Sequence, residues 1–282
     1  MSYKTIAIFV HDADRDSVAL AAAMEVAGRD NAHLEVFCLG IDPIQYDATL
    51  AGAMPVFLSS GITEAQETAS KLAAWVETMV PTGQSRVYVQ PVATASAGLE
   101  LLVGRYARYS DLIIAPQPYG EDRGRIAEAL LEGALFNSDA AVLVIPNDSD
   151  PAKFADHFKR AVVAWNESDE ALSTIRKALP ILTAAQQVDI LMIDPAVRSG
   201  ERSDPGGALA MMLSRQGAKA DVAIVARTLP KVADMITRYA ADHGADVLVM
   251  GAYGHSRLRQ AVLGGTTRSM LNEMPLPVLM SH

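Results

Sequence analysis

Short apolar runs recur along the chain, each followed by a longer stretch with helical periodicity. Thr5 to Val10, His33 to Leu39, Ser85 to Val89, Asp111 to Ala115 and Ala141 to Ile145 have the length and composition of buried strands. Between them lie helical patterns over Ser17 to Arg29, Ile62 to Val80, Ala95 to Tyr109 and Arg125 to Phe136. Asp12, Asp14 and Asp16 offer caps for the first helix, Thr63 stands near the start of the second, and Pro81 lies beyond its end. Residues 42–61, with Pro43, Gly52 and Pro55, predict a loop.

The polar run Asn147-Asp148-Ser149-Asp150-Pro151 then reads as a linker, and the pattern restarts. Strands are predicted over Ala161 to Trp165, Val188 to Ile193, Ala220 to Val225, Val247 to Met250 and Pro277 to Met280. Helices are predicted from Asn166-Glu167-Ser168 to near Leu179-Pro180, over Ala208 to Gln216, Lys231 to His243 and Thr267 to Glu273, with a loop over 194–207. Ala7 to Asp12 matches Ala161 to Asn166, Asp111 to Ala115 matches Asp246 to Met250, and Val142 to Ile145 matches the end that begins at Val278. The chain is therefore an internal repeat. We place one domain at residues 1–146, a linker at 147–157 and a second domain at 158–282. Strands alternating with helices predict an α/β fold, with a parallel sheet covered by helices on both faces. Such sheets bind ligands at the carboxyl ends of their strands, where the strand order reverses. The two last strands are edge candidates and are expected to pair or pack between the halves, making an intrachain pseudo-dimer. Homodimerisation is also compatible with the pattern.

Asp246 to Thr267 carries the densest candidate chemistry. A short apolar run ends on Gly251, Gly254 follows, and nine residues later Gly264, Gly265, Thr266 and Thr267 lead into a helix capped by a threonine. Glycines let backbone N–H groups approach an anion, and a helix start adds unpaired donors and a favourable dipole. The spacing fits a phosphate cradle in two pieces; it equally fits glycines that end a strand and close a turn.

Composition narrows the classes. Half of the residues are apolar, and the formal charge of −9 argues against a general nucleic-acid binder. Cys38 is the one cysteine, which excludes an intrachain disulfide and a cysteine-only zinc site. The N-terminal apolar run is too short for a signal peptide, and no apolar stretch approaches a membrane span, so the expectation is a cytoplasmic protein without a membrane partner. The histidines show no ligand spacing, so a metal is expected only as Mg2+ carried by a nucleotide. No Gly-x-Ser-x-Gly elbow, Walker sequence or H-E-x-x-H is present, and any ATP hydrolysis is expected to be slow.

With Gly251-x-x-Gly254, nine residues, Gly264 and the closing Pro277-Val278-Leu279 strand, and with Val163-Ala164-Trp165-Asn166-Glu167-Ser168 at the opening, the chain resembles the universal stress protein family in its tandem two-domain form. The resemblance implies two Rossmann-like domains of the adenine nucleotide alpha hydrolase type, each a five-stranded parallel sheet of order 3-2-1-4-5. It implies ATP as ligand of the second half and a role in stress response or signalling. Carried over residue by residue, Ala164 and Asn166 meet the adenosine end. Met192 or Ile193 lines the adenine pocket. Met250, Gly251 and Gly254 flank ribose and phosphates, and Gly264, Gly265, Thr266 and Thr267 hold the phosphates. The sequence departs from the family at Asn166, where the family has aspartate, at Glu167, where it has glycine, and at Gly265, where it has serine or threonine.

The first half departs further. Asp12 keeps the adenosine position, but Pro116-Gln117-Pro118-Tyr119 replaces the first glycine pair and Glu132-Gly133-Ala134-Leu135 the second. Proline removes a donor, and Glu121, Asp122, Glu128 and Glu132 repel phosphate, so no ATP is expected there. A scaffold without nucleotide and a slow ATPase are the competing classes. Arg257, Arg259, His255 and Tyr253 each read as a ligand contact or as plain surface. Trp165 reads as packing or as a ligand shield.

Overall fold

The computed structural model describes residues 2–42, 54–81, 86–120, 124–195, 204–252 and 265–282. Its contacts divide the chain into two compact units. One gathers residues 3–140 and 150–155, the other residues 141–149 and 156–282.

The first unit contains β1 (Thr5–Val10), α1 (Ala13–Asp30), β2 (His33–Asp42), α2 (Met54–Met79), β3 (Val87–Ala95), α3 (Leu99–Ala107), β4 (Leu112–Pro116) and α4 (Arg125–Asn137). Its strands are parallel, in the order β3-β2-β1-β4. Ile6 to Val10 are all buried, as expected of a strand covered on both faces. Gly40 sits under α2, and a Cβ there would overlap the Ala65 carbonyl oxygen, so this helix rests directly on β2. A 3-10 turn, Pro151–Phe154, packs on α1 and buries the Phe154 ring.

The second unit contains β5 (Ala141–Ile145), β6 (Arg160–Ala164), α5 (Asp169–Lys177), α6 (Leu179–Ala184), β7 (Gln187–Ile193), α7 (Gly207–Arg215), β8 (Ala220–Val225), α8 (Val232–Asp242), β9 (Val247–Gly251), α9 (Gly265–Asn272) and β10 (Val278–Ser281). β8-β7-β6-β9-β10 are parallel, the expected 3-2-1-4-5 order. One detail differs from five parallel strands per sheet. β5 groups with this unit and runs antiparallel to β10, with Val144 opposite Val278 and Val142 opposite Met280. The pairing covers the apolar edge that β10 would otherwise leave.

The repeat is visible in hydrogen bonds. Asp111, just before β4, accepts from Lys4 N and Thr5 N at 2.7 and 3.0 Å. Asp246, just before β9, accepts from Lys159 N and Arg160 N at 2.7 and 2.9 Å. In both halves one carboxylate ties the start of the central strand to its neighbour.

Several element limits move. α2 begins at Met54, within the stretch expected to be loop. β3 runs on to Ala95 through Pro91, because an edge strand tolerates a residue that cannot donate. The helix expected from Ala95 is a 3-10 turn at Ser96–Gly98 followed by α3. Pro180 does not end helical structure. It occupies the first turn of α6, where its missing N–H costs no bond. No helix among the described residues is long and apolar enough to cross a membrane.

Candidate functional site

The carboxyl ends of β6, β7 and β9 lie side by side. Ala164 pairs with Leu191 on one side and Met250 on the other, and Trp165 N donates to Leu191 O at 2.9 Å. Asn166 follows, exposed, at this edge. Its Oδ1 accepts from Ser168 N at 3.2 Å, which leaves the amide NH2 without a partner among the described residues. Where the family's aspartate offers acceptors, this chain therefore presents a donor.

Glu167 takes φ 60, in the left-handed region that glycine adopts without strain. The backbone at Glu167 thus takes a conformation that suits glycine, the residue the family resemblance places there. Ser168 then caps α5, its Oγ accepting from Ala171 N at 3.2 Å. Asp169 and Glu170 fill the first turn and favour the positive end of the helix. That end is consequently closed to a phosphate.

Gly251 has a packing task. A Cβ there would lie 2.6 Å from Ala171 N and 3.0 Å from Ala171 Cα, so α5 can approach β9 only because the side chain is absent. Gly265 is the reverse case: it is exposed, and a Cβ there would meet nothing within 4 Å among the described residues. It also opens α9, two residues earlier than expected, so Thr266 and Thr267 belong to the first turn and neither caps it. Thr267 is 4% exposed and turned into the unit. Gly254 and Gly264, together with Tyr253, His255, Arg257 and Arg259, lie outside the described residues.

Of the two residues at the end of β7, Met192 is covered. Its Sδ lies 3.2 Å from the position of a Cβ on Gly206, which takes φ 79 just before α7. Ile193 keeps part of its surface, and Asp194 beyond it is exposed with φ 44. The buried Nε1 of Trp165 has no hydrogen-bond partner among the described residues. A buried N–H left unpaired is uncommon, and it lies in the residue between Ala164 and Asn166. The sequence reading missed the C-terminal end: Ala252 N donates to Ser281 O at 3.0 Å, and His282 Nδ1 lies 3.2 Å from Ala252 O. The capping role of Ser168 was readable from its place before a helix; the part of His282 carries no sequence signal.

The first half closes the equivalent region. Asp12 caps α1, accepting from Asp14 N and Arg15 N at 3.0 and 3.1 Å. Gln117 and Tyr119 are buried after β4. Residues 132–135, expected to replace the second glycine pair, sit inside α4 instead of at a helix start. There Gly133 allows close packing on Glu100 and Val103 of α3. Glu121 and Asp122 lie outside the described residues. Among the described residues no cluster of His, Cys, Asp and Glu could hold a metal ion.

A parallel sheet of this order, with helices between its strands, defines an α/β protein of the Rossmann-like class. Residues 157–282 match the model of the universal stress protein family. Universal stress protein Slr1230 of Synechocystis sp. (strain ATCC 27184 / PCC 6803 / Kazusa) is 37% identical over 73 residues, 26% of this chain and 24% of that protein. The chain thus spans about a quarter of this relative's length. A universal stress protein from Archaeoglobus fulgidus DSM 4304 superposes with a TM-score of 0.67 at 14% identity, covering 98% of this chain and 95% of that one. A functionally unknown protein, PA1789 from Pseudomonas aeruginosa PAO1, superposes at 0.57 with 17% identity over 99% and 92% of the two chains. The second half of the chain is thus similar to the universal stress protein family, and the fold of the solved structures extends over both halves.

Proposed function

We propose that the second half binds an adenine nucleotide, ATP with its own Mg2+, and that the protein is a stress-response regulator rather than a fast enzyme. Residues 158–282 form the binding domain and residues 1–146 a degenerate copy. The observation that carries this reading is the juxtaposition of Ala164 and Met250 at adjoining strand ends, with Asn166 and Gly251 just beyond them. The residues fit the ligand on three further counts. Among the described residues, Gly265 has free space at a helix start, the Asn166 amide has donors to spare, and Trp165 Nε1 has no hydrogen-bond partner. At the end of β7, Ile193 has the surface to meet a base and Met192 backs it. Gly254, Gly264, Thr266 and Thr267 complete the phosphate side by the family resemblance. Bound nucleotide stabilises whichever state holds it by RT ln(1 + [L]/Kd), which is how a ligand without turnover regulates.

A second reading, a scaffold that binds no nucleotide, is favoured by one observation. Gly251 is required by the approach of α5 whether or not a ligand exists. Substituting Gly251 would therefore confound folding with binding. Gly265→Val avoids this, since the added atoms overlap none of the described residues. Mass spectrometry of small molecules released from the denatured protein should find about one adenine nucleotide per chain. Calorimetric titration should show ATP at least tenfold weaker in Gly265→Val, with an unchanged melting temperature of the free protein. Equal ATP affinity in the two proteins rejects the cradle. No ATP binding in either establishes the scaffold.

A further inference from the structure

The first unit has a cleft of its own, separate from the residues discussed above. About 350 Å³ in volume, it is lined by His11, Ala13, Thr68, Lys71, Leu72 and Trp75. Its origin lies in the packing. α1 rests on β1 and β4, whereas α2 rests on β2 and β3, drawn tight by Gly40. Between the start of α1 and the flank of α2, the small Ala13 leaves space. Thr68, Lys71, Leu72 and Trp75 share one face of α2, at the i, i+3, i+4 and i+7 spacing.

The lining is one-sided in charge. Among the described residues that line it none is a carboxylate. Asp12, between His11 and Ala13, is engaged as the cap of α1. Asp16 is fully buried, and its Oδ2 accepts from His11 N and Asp12 N at 2.9 and 3.1 Å. The same oxygen lies 2.9 Å from His11 Nδ1. Asp16 is thus turned inward, and Nε2 is the ring nitrogen left for a ligand. The Thr68 hydroxyl donates to Glu64 O at 2.9 Å and so meets the cleft as an acceptor. Lys71 supplies a mobile ammonium group from the exposed side of α2. The remaining wall is the Trp75 indole, the Leu72 side chain and the Ala13 methyl.

The geometry points to a binding site for a small organic monoanion with a flat apolar body, an aromatic carboxylate, held between Trp75 and Leu72 with its charge at Lys71. The volume is at the low end of ligand pockets, which suits a one- or two-ring molecule. A triphosphate would bring several negative charges to a single exposed lysine. An indole face and one cation form a minimal recognition set for an aromatic acid: the ring gives area, the ammonium gives orientation.

Trp75 and Trp165 are the two tryptophans of the chain, so Trp165→Phe leaves Trp75 as its single indole reporter. The probe is 2-naphthoate, with neutral 2-naphthamide as its control, each titrated to ~1 mM, the weak end of ordinary ligand affinity. A saturable change in Trp75 emission is expected with 2-naphthoate. It should be at least tenfold weaker with 2-naphthamide, and at least tenfold weaker for 2-naphthoate when Lys71→Ala is added. Lys71 is exposed, so its removal leaves the fold intact. Absence of a saturable response overturns the proposal. An equal response to the amide, or indifference to Lys71→Ala, overturns it as well.

Discussion

β4 ends on Pro116, and the large side chains of Gln117-Pro118-Tyr119 beyond it fold back into the unit. β9 ends on Gly251, with Ala252 beyond it, and Gly251 lies so close to α5 that no side chain fits. The repeat makes these strand ends equivalent, yet one is filled by side chains and the other kept bare by the backbone of a neighbouring helix. A glycine at a nucleotide-type strand end can therefore serve packing and ligand together, and only the geometry separates the two tasks. The largest effect follows from this. Gly251→Val should cost about 2–3 kcal/mol by overpacking on α5, read as a lowered urea midpoint of the free protein. A stability equal to that of the parent would return Gly251 to a purely ligand-facing role.

The starts of the two equivalent helices sharpen the contrast. In α1, Asp16 is buried and holds the turn before the helix through the backbone of His11 and Asp12. In α5, Ser168 and Asn166 manage the turn with neutral groups. Burial pushes the Asp16 carboxyl up, but hydrogen bonds and charge from His11, with the backbone N–H groups, outweigh it and hold the carboxyl below its ordinary 3.8. A depressed pKa contributes stability that is present above the unfolded value and lost as pH falls through the folded one. Asp16→Ala should therefore cost about 2 kcal/mol at neutral pH. The difference from the parent should shrink in acid, below about pH 4, which denaturant midpoints at two pH values would reveal. A deficit that stays constant into acid would mean that lost packing, and not the charge, was measured.

A smaller effect comes from the turn before α5. Glu167 holds φ 60 where the family has glycine, while the corresponding turn of the first half has no such residue. Glu167→Gly removes a side chain from the left-handed region, a relief of about 1 kcal/mol partly offset by the freer unfolded chain. The melting temperature should rise by a few degrees. A fall would mean that the Glu167 side chain makes a compensating contact.

The fold was largely legible because the strand runs are continuous and apolar and the halves repeat. Asp111 and Asp246 could be matched from sequence, and both proved to tie a strand start. Errors came where a local signal met tertiary context. The strand expected to end at Val89 runs on through Pro91 at the sheet edge, and Pro180 reads as a helix end but begins a helix. The antiparallel partnership of β5 with β10 followed from the need to cover an edge, yet its register is not written in any single residue. The candidate site was legible in outline, because glycine spacing and strand ends are local. What the sequence could not give was the distinction between Gly251, packed, and Gly265, open, since that depends on α5, a helix distant in sequence from both. The inward turn of Thr267 and the unpaired Trp165 Nε1 are likewise products of packing.

The smallest effect concerns the helices that precede the closing strands. α9 begins Gly265-Thr266-Thr267-Arg268, whereas α4 carries Glu128 in its first turn and Glu132 one turn further on, with Glu100 on α3. Burial, then repulsion from Glu100 and Glu128, raises the Glu132 pKa above its ordinary value. An acid raised in the folded state holds its proton more tightly there than in the unfolded chain. Stability then falls as pH rises from about 4.5 through the folded value, and at neutral pH the charge is a cost. Glu132→Gln should therefore stabilise the protein at pH 7, by less than about 1 kcal/mol because the group is only partly buried. The gain should vanish near pH 4, where the parent is already protonated. If the gain persisted at pH 4, the Gln side chain would be packing better, and the acidic face of α4 would no longer distinguish the two halves energetically.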